Sequence, residues 1–118
     1  MPPHLRLGRL GEDIAVRYLE GAGLVILARN WRCGDGELDV VATDRSQLVI
    51  CEIKTRSSTA YGTPTEAVDD AKADRIRRLA TKWRLHYRLW HCPIRFDIVS
   101  VLWPPGGEAQ VKHLIGAF

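Results

Sequence analysis

Residues 36–56 read GELDVVATDRSQLVICEIKTR, two apolar runs joined by the polar segment Asp44-Arg45-Ser46-Gln47. The runs, GELDVVAT at 36–43 and LVICEIKTR at 48–56, are rich in Val, Leu and Ile. A connector of that length between them predicts an antiparallel hairpin. Residues two apart in a strand share a face, so Glu37 and Asp39 point one way and Glu52 and Lys54 share a side. With Thr43 opposite Leu48, Asp39 falls opposite Glu52 and Glu37 opposite Lys54. Two carboxylates then face each other with Cβ atoms roughly 5 Å apart, which costs stability unless a cation or a shared proton relieves it. A divalent metal is the economical relief. Oxygen ligands favour Mg²⁺ or Mn²⁺ over zinc, and Lys54 could orient a water or stabilise charge on a phosphate. A plainer reading also fits: solvated strand ends with a surface ion pair between Glu37 and Lys54. The hairpin register decides between faces, because a one-residue slip turns Asp39 away from Glu52.

The chain of 118 residues and 13.3 kDa is the size of one domain, 1–118, able to fold without metals or disulfides. Its hydrophobic share of 46% and charged share of 26% exclude long disorder. No run approaches the roughly 20 apolar residues of a membrane span, and the amino terminus lacks a signal peptide's apolar core, so the expected location is the cytoplasm. Cys33, Cys51 and Cys92 form no CxxC pair and are expected to be reduced, Cys51 as packing. Cys92 beside His91 is too isolated to make a zinc site. The net charge of +3 suits a polyanionic partner. Basic residues gather around Arg29, Arg32, Lys54 and Arg56 and from Lys72 to Arg88, and acids at 35–52 and 66–74, as expected of a carboxylate site in a basic surround.

Outward from the hairpin, Leu5, Leu10, Ile14, Ala15, Tyr18 and Leu19 recur with helical spacing and Gly21-Ala22-Gly23 stops the helix. Its Glu12 could project either to solvent or toward the hairpin, and spacing alone favours solvent. Leu24 to Arg32 reads as a strand ending in the turn Cys33-Gly34-Asp35-Gly36. After the hairpin, RSSTAYGTP at 56–64 reads as a loop beside the site, either a cover for a substrate or an ordinary connector. A helix is expected from about Thr65 to Trp90, with Ile76, Leu79, Ala80, Trp83, Tyr87 and Trp90 as its core stripe. Lys72, one turn before Ile76, can reach the open end of the sheet. Arg75, Arg78 and Lys82 form one flank and Arg77, Arg84 and Arg88 another, each readable as a solvated face. Ile94 to Trp103, containing Asp97, and Ala109 to Leu114 are the last strands. The order αβββαββ makes this an α/β protein.

Gly11-Glu12, Arg29-Asn30, Gly36-Glu37-Leu38-Asp39, Glu52-Ile53-Lys54-Thr55-Arg56, Tyr61-Gly62-Thr63-Pro64, Lys72 and Arg95-Phe96-Asp97 together resemble the YraN family of small bacterial proteins over nearly the whole chain. That family is similar to Holliday-junction resolvases and other PD-(D/E)XK nucleases. The resemblance implies a restriction-endonuclease-like core, a mixed sheet flanked by helices, and a metal-dependent endonuclease acting on branched or recombination DNA. It makes Glu12 the helix acid, Asp39 and Glu52 the ligands of Mg²⁺ or Mn²⁺, the Ile53 carbonyl a further ligand and Lys54 the catalytic lysine. Glu37 is an additional acid, and Glu37-Leu38-Asp39 stands where the superfamily's name has Pro-Asp. Arg29, Arg32, Arg56, Lys72 and Arg75 are the expected contacts to nucleic acid, DNA ahead of RNA, and a homodimer is compatible with cutting two strands. The competing expectation is a non-catalytic nucleic-acid-binding module of the same fold that works with a repair or recombination partner. A purely structural or protein-binding domain is the third.

Overall fold

The structure, a computed structural model, describes residues 3–58 and 68–118, with side chains from residue 6 onward. The expected 56–64 loop is therefore described only at its start, and Tyr61 to Pro64 and the side chain of Leu5 lie outside the described residues. Along the chain run α1 (Pro3–Gly21), β1 (Val25–Cys33), β2 (Gly36–Thr43), β3 (Leu48–Arg56), α2 (Asp70–His86), β4 (Ile94–Leu102) and β5 (Gln110–Leu114). The strands form one mixed sheet in the order β1-β2-β3-β4-β5. Among the described residues only β3 and β4 pair in parallel. A parallel pair needs a crossover, and α2 is carried by that connection.

The hairpin closes with Thr43 opposite Leu48. Asp44 fixes the turn, its carboxylate accepting from the Ser46 and Gln47 backbone amides and from both their side chains. These bonds, led by that from the Gln47 side chain, hold the Asp44 carboxyl well below the usual carboxylate range.

The central strands are covered on both faces, which accounts for the unbroken apolar run Leu48-Val49-Ile50-Cys51. On one face α1 packs Ala15, Val16 and Leu19 against Val40, Val49, Cys51, Val99 and Val101. On the other, α2 packs Ile76, Leu79, Ala80 and Trp83 against Leu38, Val41, Leu48 and Ile50. Beyond Cys51 the burial of β3 falls, with Glu52 and Ile53 partly buried and Lys54 exposed. Cys33, Cys51 and Cys92 are free thiols, and burial, then the Asp97 charge, pushes Cys51 up to about 12, where it stays protonated.

Both ends of α2 differ from the expected span. Val68 and Asp69 are not helical; Asp69 is the N-cap, its side chain accepting from the Lys72 amide. At the other end the helix stops at His86, so Tyr87 and Trp90 leave the core stripe and are exposed. Arg84 causes the stop to persist, because its guanidinium donates to the carbonyls of Leu89, Trp90 and Cys92 and folds the chain back. On α1, Leu10 and Tyr18 are likewise exposed and only part of the predicted stripe is core. Among the described residues no helix is long and apolar enough to cross a membrane.

Candidate functional site

The site lies where β2 and β3 part. Their ladder ends at Val40 opposite Cys51, and one residue further Asp39 replaces the missing backbone partner with its side chain, accepting the Ile53 N–H at 2.9 Å. That bond sets Asp39 beside Glu52, as the register predicts. Burial, then the Glu52 carboxylate, lifts the Asp39 carboxyl to about 7, while the Ile53 amide pulls it down; a hydrogen bond to Glu52 and the charge of Glu12 add to the rise. The Asp39 and Glu52 carboxyls thus lie within interaction distance of one another.

Glu12 reaches the site because α1 lies very close to β3. Gly11 is buried, and a Cβ there would stand 2.1 Å from the Thr55 hydroxyl. Only glycine permits that approach. Glu12 is then held by Arg29 Nε at 3.3 Å and Asn30 Nδ2 at 3.0 Å, while Arg29 also bonds Asp13 at 2.8 Å. Asn30 has φ 53, a left-handed conformation that asparagine tolerates better than most residues. Glu12 thus faces the sheet, and the solvent orientation suggested by helical spacing is corrected.

Two hollows meet at the pair. One of about 360 Å³ is lined by Arg9, Glu12, Asn30, Glu37, Asp39 and Lys54. The other, of about 340 Å³, is lined by Asp35, Glu37, Asp39, Glu52, Lys72 and Arg75. Asp39 and Glu37 border both, whereas Glu52 and Lys54, expected on one side, line different hollows. Glu37 and Lys54 both border the first hollow without forming an ion pair. Glu37 pairs instead with Arg32, its register partner on β1, at 2.9 Å.

The basic residues expected at phosphates are largely engaged with acids: Arg29 with Glu12 and Asp13, Arg32 with Glu37, and Lys72 with Glu52 at 2.7 Å. Arg56 is half-buried at the end of β3, and Arg75 is exposed. Lys54 is exposed, with no carboxylate at ion-pair distance among the described residues. Sequence reading offered no role for Gly11, Thr55, Asn30 or Arg9. The Gly11-Glu12 and Arg29-Asn30 pairs were the available signals, and only packing explains them.

Among the described residues no three His, Cys, Asp or Glu side chains converge to hold an ion by themselves. Two facing carboxylates nevertheless suit Mg²⁺ or Mn²⁺, which take hard oxygen ligands; Mg²⁺ in particular commonly keeps several waters and few protein carboxylates.

The model of the family described as "Uncharacterised protein family UPF0102" matches residues 11–101, from the glycine under Thr55 almost to the end of β4. The chain belongs to UPF0102. This is the YraN family that its motifs resemble. A UPF0102 protein of Frankia alni is 52% identical over 112 residues, covering 95% of this chain and 93% of its own. One from Frankia casuarinae is 51% identical over 112 residues, covering 95% of each chain. A UPF0102 protein of Renibacterium salmoninarum is 47% identical over 116 residues, 98% of both chains. The UPF0102 match includes Glu12, Asp39, Glu52, Lys54 and Lys72.

Proposed function

We propose that this UPF0102 protein is a metal-dependent endonuclease with a restriction-endonuclease-like core, hydrolysing phosphodiester bonds in nucleic acid. The observation that carries the reading is the meeting of Asp39 and Glu52 at the end of the β2–β3 ladder, with Glu12 from α1 and Lys54 from β3 beside them. Asp39 and Glu52, with the Ile53 carbonyl as a further ligand, would hold Mg²⁺ or Mn²⁺. Bound there, the ion would lower the pKa of a water and offset charge on the phosphate. Lys54 positions the attacking water and stabilises developing negative charge from the neighbouring hollow. Glu12, fixed by Arg29 and Asn30, supplies a third negative charge. Branched DNA is the first substrate class to test, and two copies would be needed to cut two strands symmetrically.

One observation favours a second reading. Lys72 already sets a cation 2.7 Å from Glu52, which stabilises the acid without a metal and suits a non-catalytic nucleic-acid-binding module. Calorimetric titration of Mn²⁺ into wild type and Asp39→Asn, with and without branched DNA, separates the two, and a cleavage assay follows. Wild type should bind Mn²⁺ and cut, with Asp39→Asn losing both and Lys54→Ala losing about a hundredfold or more of the rate. Unchanged cleavage by both variants overturns the nuclease reading. DNA binding without any metal uptake transfers the assignment to the module.

A further inference from the structure

The loop that ends α2 exposes large aromatic rings. Tyr87 is 49% exposed and Trp90 59%, next to Leu85 at 59%. Scattered exposed apolar residues are ordinary, but these rings stand three apart on a loop held in one shape. Arg84 donates to three of the loop's carbonyls, the Leu89 amide returns a bond to the Arg84 carbonyl at 2.8 Å, and Arg88 sits at φ 57, a left-handed conformation that costs an arginine strain. Tyr87 lies against Trp83, which is 3% exposed, with ring centroids 4.7 Å apart, and His86 stands edge-on to Tyr87 at 4.7 Å. A run of rings thus leads from the core to the surface.

Charge leads from the carboxylate pair to the same place. Arg75, Arg78, Lys82 and His86 are all exposed, and their spacing puts them along one face of α2. Lys82 is paired with Asp35. Arg75, Arg78 and Arg88 have no carboxylate at ion-pair distance among the described residues. From Lys72, on Glu52, to His86 the helix rises about 21 Å.

We propose that Tyr87 and Trp90 form a platform on which unpaired bases of a nucleic-acid strand stack, while Arg75, Arg78 and Arg88 follow its phosphates toward the Asp39–Glu52 pair. Stacking needs open base faces, which a duplex hides, and cations interleaved with aromatics are the surface that a single strand requires. A protein partner or a second copy could cover the rings but gives no reason for a line of exposed arginines, unpaired with carboxylates among the described residues, along the approach. The inference rests on nucleic acid being the ligand, as in the proposed function, and not on cleavage.

The test is fluorescence anisotropy of labelled oligo-dT, oligo-rU and a duplex of equal length, in EDTA, with wild type, Trp90→Ala, Tyr87→Ala and Trp90→Phe. Thermal melts serve as the folding control, since both residues are exposed. Each alanine variant should weaken oligo-dT binding about tenfold, or about 1.4 kcal/mol, and leave the duplex unchanged, whereas Trp90→Phe should bind oligo-dT nearly as well as wild type. A loss shared by oligo-rU supports the platform for either polymer, and a loss confined to one polymer supports it for that one. Unaltered oligonucleotide binding by the variants overturns the platform alone, as does an equal loss on the duplex or a loss of self-association only. Failure of wild type to bind any of the three overturns both the platform and the nucleic-acid reading beneath it.

Discussion

At the scale of single residues, the Asp39 carboxyl moves from its ordinary value of 3.8 to about 7, first through burial and then through Glu52. A folded-state pKa above the unfolded one means that the native protein holds the proton more tightly. The resulting stability is fully present below about pH 4 and is lost as pH rises through about 7. Asp39→Asn keeps an oxygen for the Ile53 amide and removes the titration. In EDTA it should therefore be the more stable protein near pH 8, by roughly 2–4 kcal/mol, and no more stable than wild type near pH 4. Urea melts at the two pH values check this, and parallel pH profiles for the two proteins would sink it. Asp39 and Glu52 were legible in the sequence because strand register is arithmetic once Thr43 is set against Leu48. Glu12 was not, because helical periodicity says which face is apolar and not which polar residue a neighbouring strand will capture.

At the scale of elements, α1 and α2 set the walls of the site. The approach of α1 to β3 depends on Gly11, where any Cβ would collide with Thr55. Gly11→Ala should cost about 1–3 kcal/mol through displacement of the helix, despite alanine's better helix propensity. It should also lift Glu12 from Asn30, so metal affinity should fall along with stability. Chemical denaturation and Mn²⁺ calorimetry on one preparation test both, and a Gly11→Ala protein at least as stable as wild type would contradict the contact. The apolar stripe of α2 was readable from Ile76 to Trp83. Its ends were not, since they are set by Asp69 as a cap and by Arg84 gathering three carbonyls, interactions that carry no periodic signal.

At the scale of the whole molecule, Asp97 ties the far side of the sheet together. Fully buried in β4, it takes Arg95 Nε and Nη2 at 2.9 Å each, His113 Nε2 from β5 at 2.7 Å and the Gly116 amide at 2.9 Å. Burial alone would raise its pKa, yet Arg95, then Gly116 and His113, outweigh it and hold the carboxyl below its ordinary range. The stability that this contributes is present above about pH 4 and lost as pH falls through the depressed value. Asp97→Ala leaves Arg95 and His113 without their acceptor and should cost about 3–5 kcal/mol. Wild type should lose its cooperative thermal transition on acidification below about pH 4, with β5 released first, as hydrogen exchange would show. An Asp97→Ala protein within measurement error of wild type would remove Asp97 from this role.

The sequence by itself determined the α/β class, the hairpin and its register, the free cysteines, the family and the acids that one strand sets against the next. These are local matters of period, turn length and spacing. Only the tertiary structure decided that Glu12 turns inward, that Glu37 answers Arg32, that Lys72 meets Glu52, and that Tyr87 and Trp90 stand outside the core. Each depends on where separate elements come to rest against one another, and that is fixed by packing across the sheet and by side chains such as Gly11 and Arg84, whose effect exists only at the contact.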